Sequence, residues 1–134
     1  MQTELKQIVS VTLFAWLLTT ITAQAELLDG TKWKVQVIPQ KQAADKGEKE
    51  FADELTFADG KFISQASAAK GFPRAAYSAE DESYEIEFES TLVSESEGRA
   101  TWSGGITKKT LTGKLELIKK DGSKLYYTFK GERE

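Results

Sequence analysis

Between Tyr84 and Phe129 apolar and polar residues change places at every step through four successive runs, and this patterning constrains the fold more than any other feature of the chain. Tyr84, Ile86 and Phe88 alternate with Glu85, Glu87 and Glu89. Ala100, Trp102, Gly104 and Ile106 alternate with Arg99, Thr101 and Ser103, and Leu111, Gly113, Leu115 and Leu117 with Thr112, Lys114 and Glu116. Leu125, Tyr127 and Phe129 close the series. A period of two puts one face of each strand in a core and the other in water. Short polar links at 94–98, 107–109 and 120–123 join the runs, so each strand is expected to pair antiparallel with the next.

Upstream, Asp29 and Gly30 lead into Trp33, Val35 and Val37 alternating with Lys32, Lys34 and Gln36, a strand that Pro39 ends because it has no N–H to give the ladder. Positions 40–53 are charged and read as a long mobile loop with a short helix at 49–53. Asp59-Gly60, set between the short runs 55–57 and 62–64, predicts a hairpin with a type I′ turn. An Ala-rich turn of helix at 66–70 is stopped by Gly71, and 75–77 make a fourth strand. Eight short strands without a long helix describe a sandwich or a barrel. Links between nearest neighbours, and the need to remove open edges, favour an all-β, eight-stranded antiparallel up-and-down barrel.

Ahead of this domain, Lys6 precedes an apolar run of 14 residues from Ile8 to Ile21, followed by Ala23-Gln24-Ala25. A spanning helix needs about 20 apolar residues. The run with its small-x-small ending predicts a signal peptide, residues 1–25, cleaved after Ala25, and one barrel domain at 26–134. A secreted or periplasmic protein without a membrane anchor is expected. The chain has no cysteine, so no disulfide supports it. A net charge of −3 lacks the basic face that nucleic acid or an anionic membrane requires.

Composition also removes most catalytic chemistry. With no Cys and no His the thiolate, the usual general base and the Ser-His-Asp arrangement are absent together, as are the favoured zinc and copper ligands. No catalytic residue, metal site or cofactor is expected. Glu85, Glu87 and Glu89 raise the question of a glycosidase-like pair, but burying Tyr84, Ile86 and Phe88 turns these glutamates to solvent, where Arg99 and Lys114 are expected as cross-strand partners. Ser103-Gly104-Gly105 reads as a bend or bulge within a strand.

Asp29-Gly30-Thr31-Lys32-Trp33, a glycine followed closely by a first-strand tryptophan ahead of seven more antiparallel strands, resembles the lipocalin and wider calycin superfamily, which includes the avidins and fatty-acid-binding proteins. The resemblance implies that Trp33 plugs one end of the barrel and packs against Arg133 near the end of the last strand. It further implies a cup whose mouth lies beneath the loop after the first strand, here 40–53, a candidate lid. The lining would include Trp33, Val35, Phe57, Phe62, Tyr84, Phe88, Trp102 and Tyr127. Two functions follow as expectations for what is taken to be a monomer. Either the barrel holds a small apolar or amphipathic ligand, or it is filled with side chains and the protein meets a protein partner or target through loops 40–53 and 68–76.

Overall fold

The structure, a computed structural model, describes residues 27–134; the expected leader and its cleavage site lie outside them. Eight strands, β1 (Thr31–Pro39), β2 (Phe51–Ala58), β3 (Lys61–Ser64), β4 (Ala75–Asp81), β5 (Ile86–Ser94), β6 (Gly98–Thr107), β7 (Thr110–Lys119) and β8 (Lys124–Arg133), form a closed barrel in which each pairs with its sequence neighbours. Antiparallel pairing of β1 with β8, from Trp33 opposite Arg133 to Pro39 opposite Tyr127, completes the closure. Two short helices, α1 (Lys41–Ala44) and α2 (Gln65–Ala69), lie in the β1–β2 and β3–β4 connections.

Strand alternation does what the pattern requires. In β1 Trp33, Val35 and Val37 are buried while Lys32, Lys34 and Gln36 face solvent; in β5 Phe88, Ser90 and Leu92 point in while Glu87 and Glu89 point out. The β2–β3 hairpin turns at Asp59 (φ 54°) and Gly60 (φ 72°), the two positive values a type I′ turn needs. Gly71 (φ 97°) follows α2 in the left-handed region that lets a helix stop.

Four expectations are corrected. The helical turn after β1 is at Lys41–Ala44, and 49–53 is not helical: Phe51 starts β2, pairs with Val37 and contributes its ring to the interior. Tyr84 does not line the barrel. It is 87% exposed, because Ser83 (φ 76°) and the hydrogen bond from Glu82 N to Glu85 O turn the chain back tightly, and β5 begins only at Ile86, opposite Asp81. Gly104 and Gly105 form no bulge; the β6–β7 register runs through them without a break. Arg99 faces Val93, whereas Glu87 lies between Glu80 and Gly105 and Glu89 between Ser78 and Ser103, so neither expected cation stands across from the glutamate row.

Glycines shape the interior at one place above all. Phe88, Gly104, Gly113 and Phe129 form one inward row across β5, β6, β7 and β8. A β-carbon at Gly113 would come 2.2 Å from Ser103 O and 2.5 Å from Phe129 Cζ, and one at Gly104 would come 2.4 Å from Thr112 O and 3.2 Å from Phe88 Cε1. Leaving both positions bare allows the two phenyl rings to lie over that wall, 6.5 Å apart.

Candidate functional site

Of the residues expected to line a cup, Trp33, Val35, Phe57, Phe62, Phe88, Trp102 and Tyr127 are all buried, each 5% exposed or less. They do not line a void, because rings from opposite walls touch. Phe57 of β2 meets Phe88 of β5 at 5.0 Å, Phe62 of β3 meets Trp102 of β6 at 5.5 Å, and Trp102 meets Phe129 of β8 at 5.3 Å. These are contact separations for aromatic rings, so the middle of the barrel is a packed core. Among the described residues no acceptor reaches Trp102 Nε1 within it.

One end of the barrel is sealed. Trp33 Nε1 donates to Thr31 Oγ1 (3.0 Å), which donates to Leu28 O (2.7 Å). Leu28 N donates to the Tyr77 hydroxyl (3.2 Å), which donates to Asp29 Oδ1 (2.7 Å); Asp29 also accepts from Gly60 N at the hairpin turn. Trp33 thus sits at the closed end. Arg133 is its partner across the β1–β8 ladder, with its own side chain exposed.

The other end is open, and strand alternation brings four connections to it, β1–β2, β3–β4, β5–β6 and β7–β8. They enclose a cleft of about 480 Å³. The first connection contributes Glu48, the second Lys70 and Phe72, the third Ser96 and Glu97, and the last Lys119 to Asp121, with Leu117 of β7 in the floor. Beneath it a residual cavity of about 30 Å³, the room of one water, is bounded by Phe51, Phe72, Leu115, Leu117 and Tyr127 among others. The site is therefore an apolar floor ringed by charge, in the size range of small-molecule pockets. Loops 40–53 and 68–76, singled out in the sequence, both contribute to it.

Each side of the cleft is held by identifiable contacts. Ala43 of α1 is fully buried, Gln40 N donates to Tyr126 O (2.9 Å), and Gln42 Nε2 donates to Lys124 O, so the first connection is docked on β8 rather than loose. Tyr127, buried in β8, donates to Glu48 Oε1 at 2.6 Å. Burial first, then the neighbouring carboxylate, pushes the Tyr127 phenol well above its ordinary range. Lys70 Nζ lies 5.7 Å from the Phe51 ring centre, a cation–π distance. The second connection is anchored by Asp53. Its carboxylate accepts from Ser64 Oγ (2.5 Å), Ala66 N (2.9 Å) and Glu54 N (2.8 Å), while Ser64 Oγ caps α2 by accepting from Ser67 N. Burial raises the Asp53 pKa, and these hydrogen bonds hold it back only in part.

Carboxylates gather at the sealed end instead. Glu80 stands directly opposite Glu87, and Glu82 is raised by its hydrogen bond with Glu80 and by repulsion from Glu87. All three are exposed, whereas a glycosidase acid is raised by an apolar enclosure. Among the described residues no group of three or more His, Cys, Asp or Glu is placed to hold a metal ion. Compared with protein-family models, curated proteins and solved structures, the chain matches none of them.

Proposed function

We propose that this chain is an exported, non-enzymatic binding protein of lipocalin-like plan, in which the filled barrel is the scaffold and the open end takes a small amphipathic molecule. The observation that carries this reading is the contrast between the two regions: rings from opposite walls meet in the shaft, while the mouth keeps a 480 Å³ cleft with Phe72 and Leu117 below and Lys70, Lys119 and Lys120 on its rim. A ligand placed there buries an apolar body and leaves its polar group among charged side chains, the division of labour usual in small-molecule sites. Outward-facing Lys32, Lys34, Glu87 and Glu89 suit the barrel wall to water rather than to lipid, whose barrels carry an apolar outer band. Export is supported by the pattern of residues 1–25.

Native mass spectrometry of the protein purified gently from its own host tests the reading. A reproducible added mass, released on unfolding and lost when Leu117→Arg puts a charge in the floor of the cleft, is the expected result. A bare mass under the same conditions would turn the search to a protein partner at the same four connections, the second way a filled barrel can act.

A further inference from the structure

Tyr127 and Glu48 stand at the point where the cleft meets the small cavity: the tyrosine bounds the cavity and the glutamate lines the cleft. Their hydrogen bond, at 2.6 Å, has the length of a charge-assisted contact. Its surroundings are those of a binding site. Phe51 meets the Tyr127 ring edge-on at 6.2 Å, Phe72 and Leu117 supply apolar surface, and Lys70 reaches over Phe51 from the rim. The glutamate comes from a segment with little else to hold it. Backbone hydrogen bonds of 45–48 run back to α1 and its cap, and Lys41 pairs with Asp45. Among the described residues, no other side-chain hydrogen bond ties positions 45–50 to a strand.

We infer that Glu48 is a built-in occupant of the site: its carboxylate holds the Tyr127 hydroxyl that an anionic amphipathic ligand takes, and such a ligand enters by displacing the 45–50 segment. This rests on the open end being the binding site. A hydroxyl buried beside apolar side chains needs an acceptor, since leaving it unmade is costly, and the chain supplies one from positions 45–50, beyond the part of the first connection that is docked on β8. A ligand carboxylate restores that bond like for like and adds the attraction of Lys70, Lys119 and Lys120. Of the remaining rim carboxylates, Asp121 is turned to its own loop, accepting from Ser123 N and Oγ, and Glu97 lies on the third connection. An uncharged amphiphile gains neither the lysines nor a full exchange for the Glu48 bond, so the contact selects against it.

Isothermal titration calorimetry with decanoate, decanol and decyltrimethylammonium, on the wild-type protein and on Glu48→Ala, Tyr127→Phe and the double variant, tests this. Decanoate is expected to bind the wild type and to bind Glu48→Ala about tenfold more tightly, the factor corresponding to one hydrogen bond to a charged group no longer competed for. That gain should vanish in the double variant, which has lost the hydroxyl, and decanol, which must displace Glu48 as well but gains nothing from the lysines, should bind more weakly than decanoate to all four proteins. Decanoate and decanol binding with affinities that Glu48→Ala leaves unchanged would overturn the proposal and leave the open end as the site. A preference for decyltrimethylammonium would overturn the anionic assignment. Failure of every probe on every variant would remove the open-end site and this contact's role with it.

Discussion

Substituting Gly113 by alanine adds a single carbon, and its fate measures how tightly the barrel is filled. Alanine should by itself help a strand, since glycine costs about 0.5–1 kcal/mol there through backbone freedom. Against that gain stand three contacts for the new carbon: Ser103 O at 2.2 Å, Phe129 Cζ at 2.5 Å and Gly104 Cα at 2.7 Å. Two of these are backbone atoms of the paired strand and cannot rotate away. The third belongs to a ring already packed against Trp102 and Phe88. Overpacking of a dense core costs about 1–3 kcal/mol, and the upper figure applies when backbone must move. Set against the propensity gain, this leaves a net loss of about 2 kcal/mol, a fall of roughly 10 °C in Tm for a domain of this size. Thermal unfolding followed by circular dichroism, with urea titration for the free energy, measures it. Adding Phe129→Leu should recover part of the loss, a coupling of at least about 0.5 kcal/mol in the double-mutant cycle. An unchanged or higher Tm for Gly113→Ala would show that the wall has slack there and that the shaft is not packed as described.

Asp53 carries a pH dependence of known sign. Its native pKa is raised above the ordinary value, so the folded chain holds the proton more firmly than the unfolded one, and its contribution to stability is full below pH about 3.8 and declines as pH rises through the raised native value. Asp53→Asn can keep the acceptor for Ala66 N and Glu54 N and donate to Ser64 Oγ, as the protonated acid does; urea titrations from pH 3 to about 7 should show the variant gaining on the wild type as pH rises. A gap independent of pH would refute this. Phe88→Ala should cost about 3–5 kcal/mol as an interior ring is lost, whereas Tyr84→Ala should stay within about 0.5 kcal/mol; equal losses would restore Tyr84 to the core. Asp29→Ala strips partners from Tyr77 Oη and Gly60 N at the sealed end and should destabilise by about 1–3 kcal/mol, read from the urea midpoint, with wild-type stability contradicting the role of that network.

How far the sequence discloses this arrangement depends on which residues share their environment with near neighbours. Strand identity is local, and the alternation from Ile86 to Glu89 or from Trp33 to Val37 displays it directly. The start of β5 is not, because a tyrosine is equally at home in a strand and in a turn, and only the tight turn at Ser83 with Asp81 facing Ile86 places Tyr84 outside. Phe51 misleads similarly: beside charged residues it suggests a helical face, and its pairing with Val37 makes it a strand. That the barrel is filled was within reach. A two-residue turn at Lys108 and Lys109 sets Gly104 opposite Gly113, and paired glycines flanked by phenylalanines in the next strands make room for rings. The cleft was less accessible. The sequence marks loops 40–53 and 68–76, but Glu48 meets Tyr127 across 79 positions, a contact that exists only once the barrel has closed.

The division between a filled shaft and a binding mouth is tested most directly by an NMR titration with decanoate that follows backbone amides together with the Trp102 indole N–H, a reporter at the centre of the core. Shifts confined to the mouth, at positions 45–50 and at Lys70, Phe72, Glu97, Leu117, Lys119 and Tyr127, with Trp102, Phe57 and Phe88 unmoved, are what the structure predicts. Movement of the Trp102 indole together with Phe57 and Phe88 would place the ligand within the barrel and contradict it.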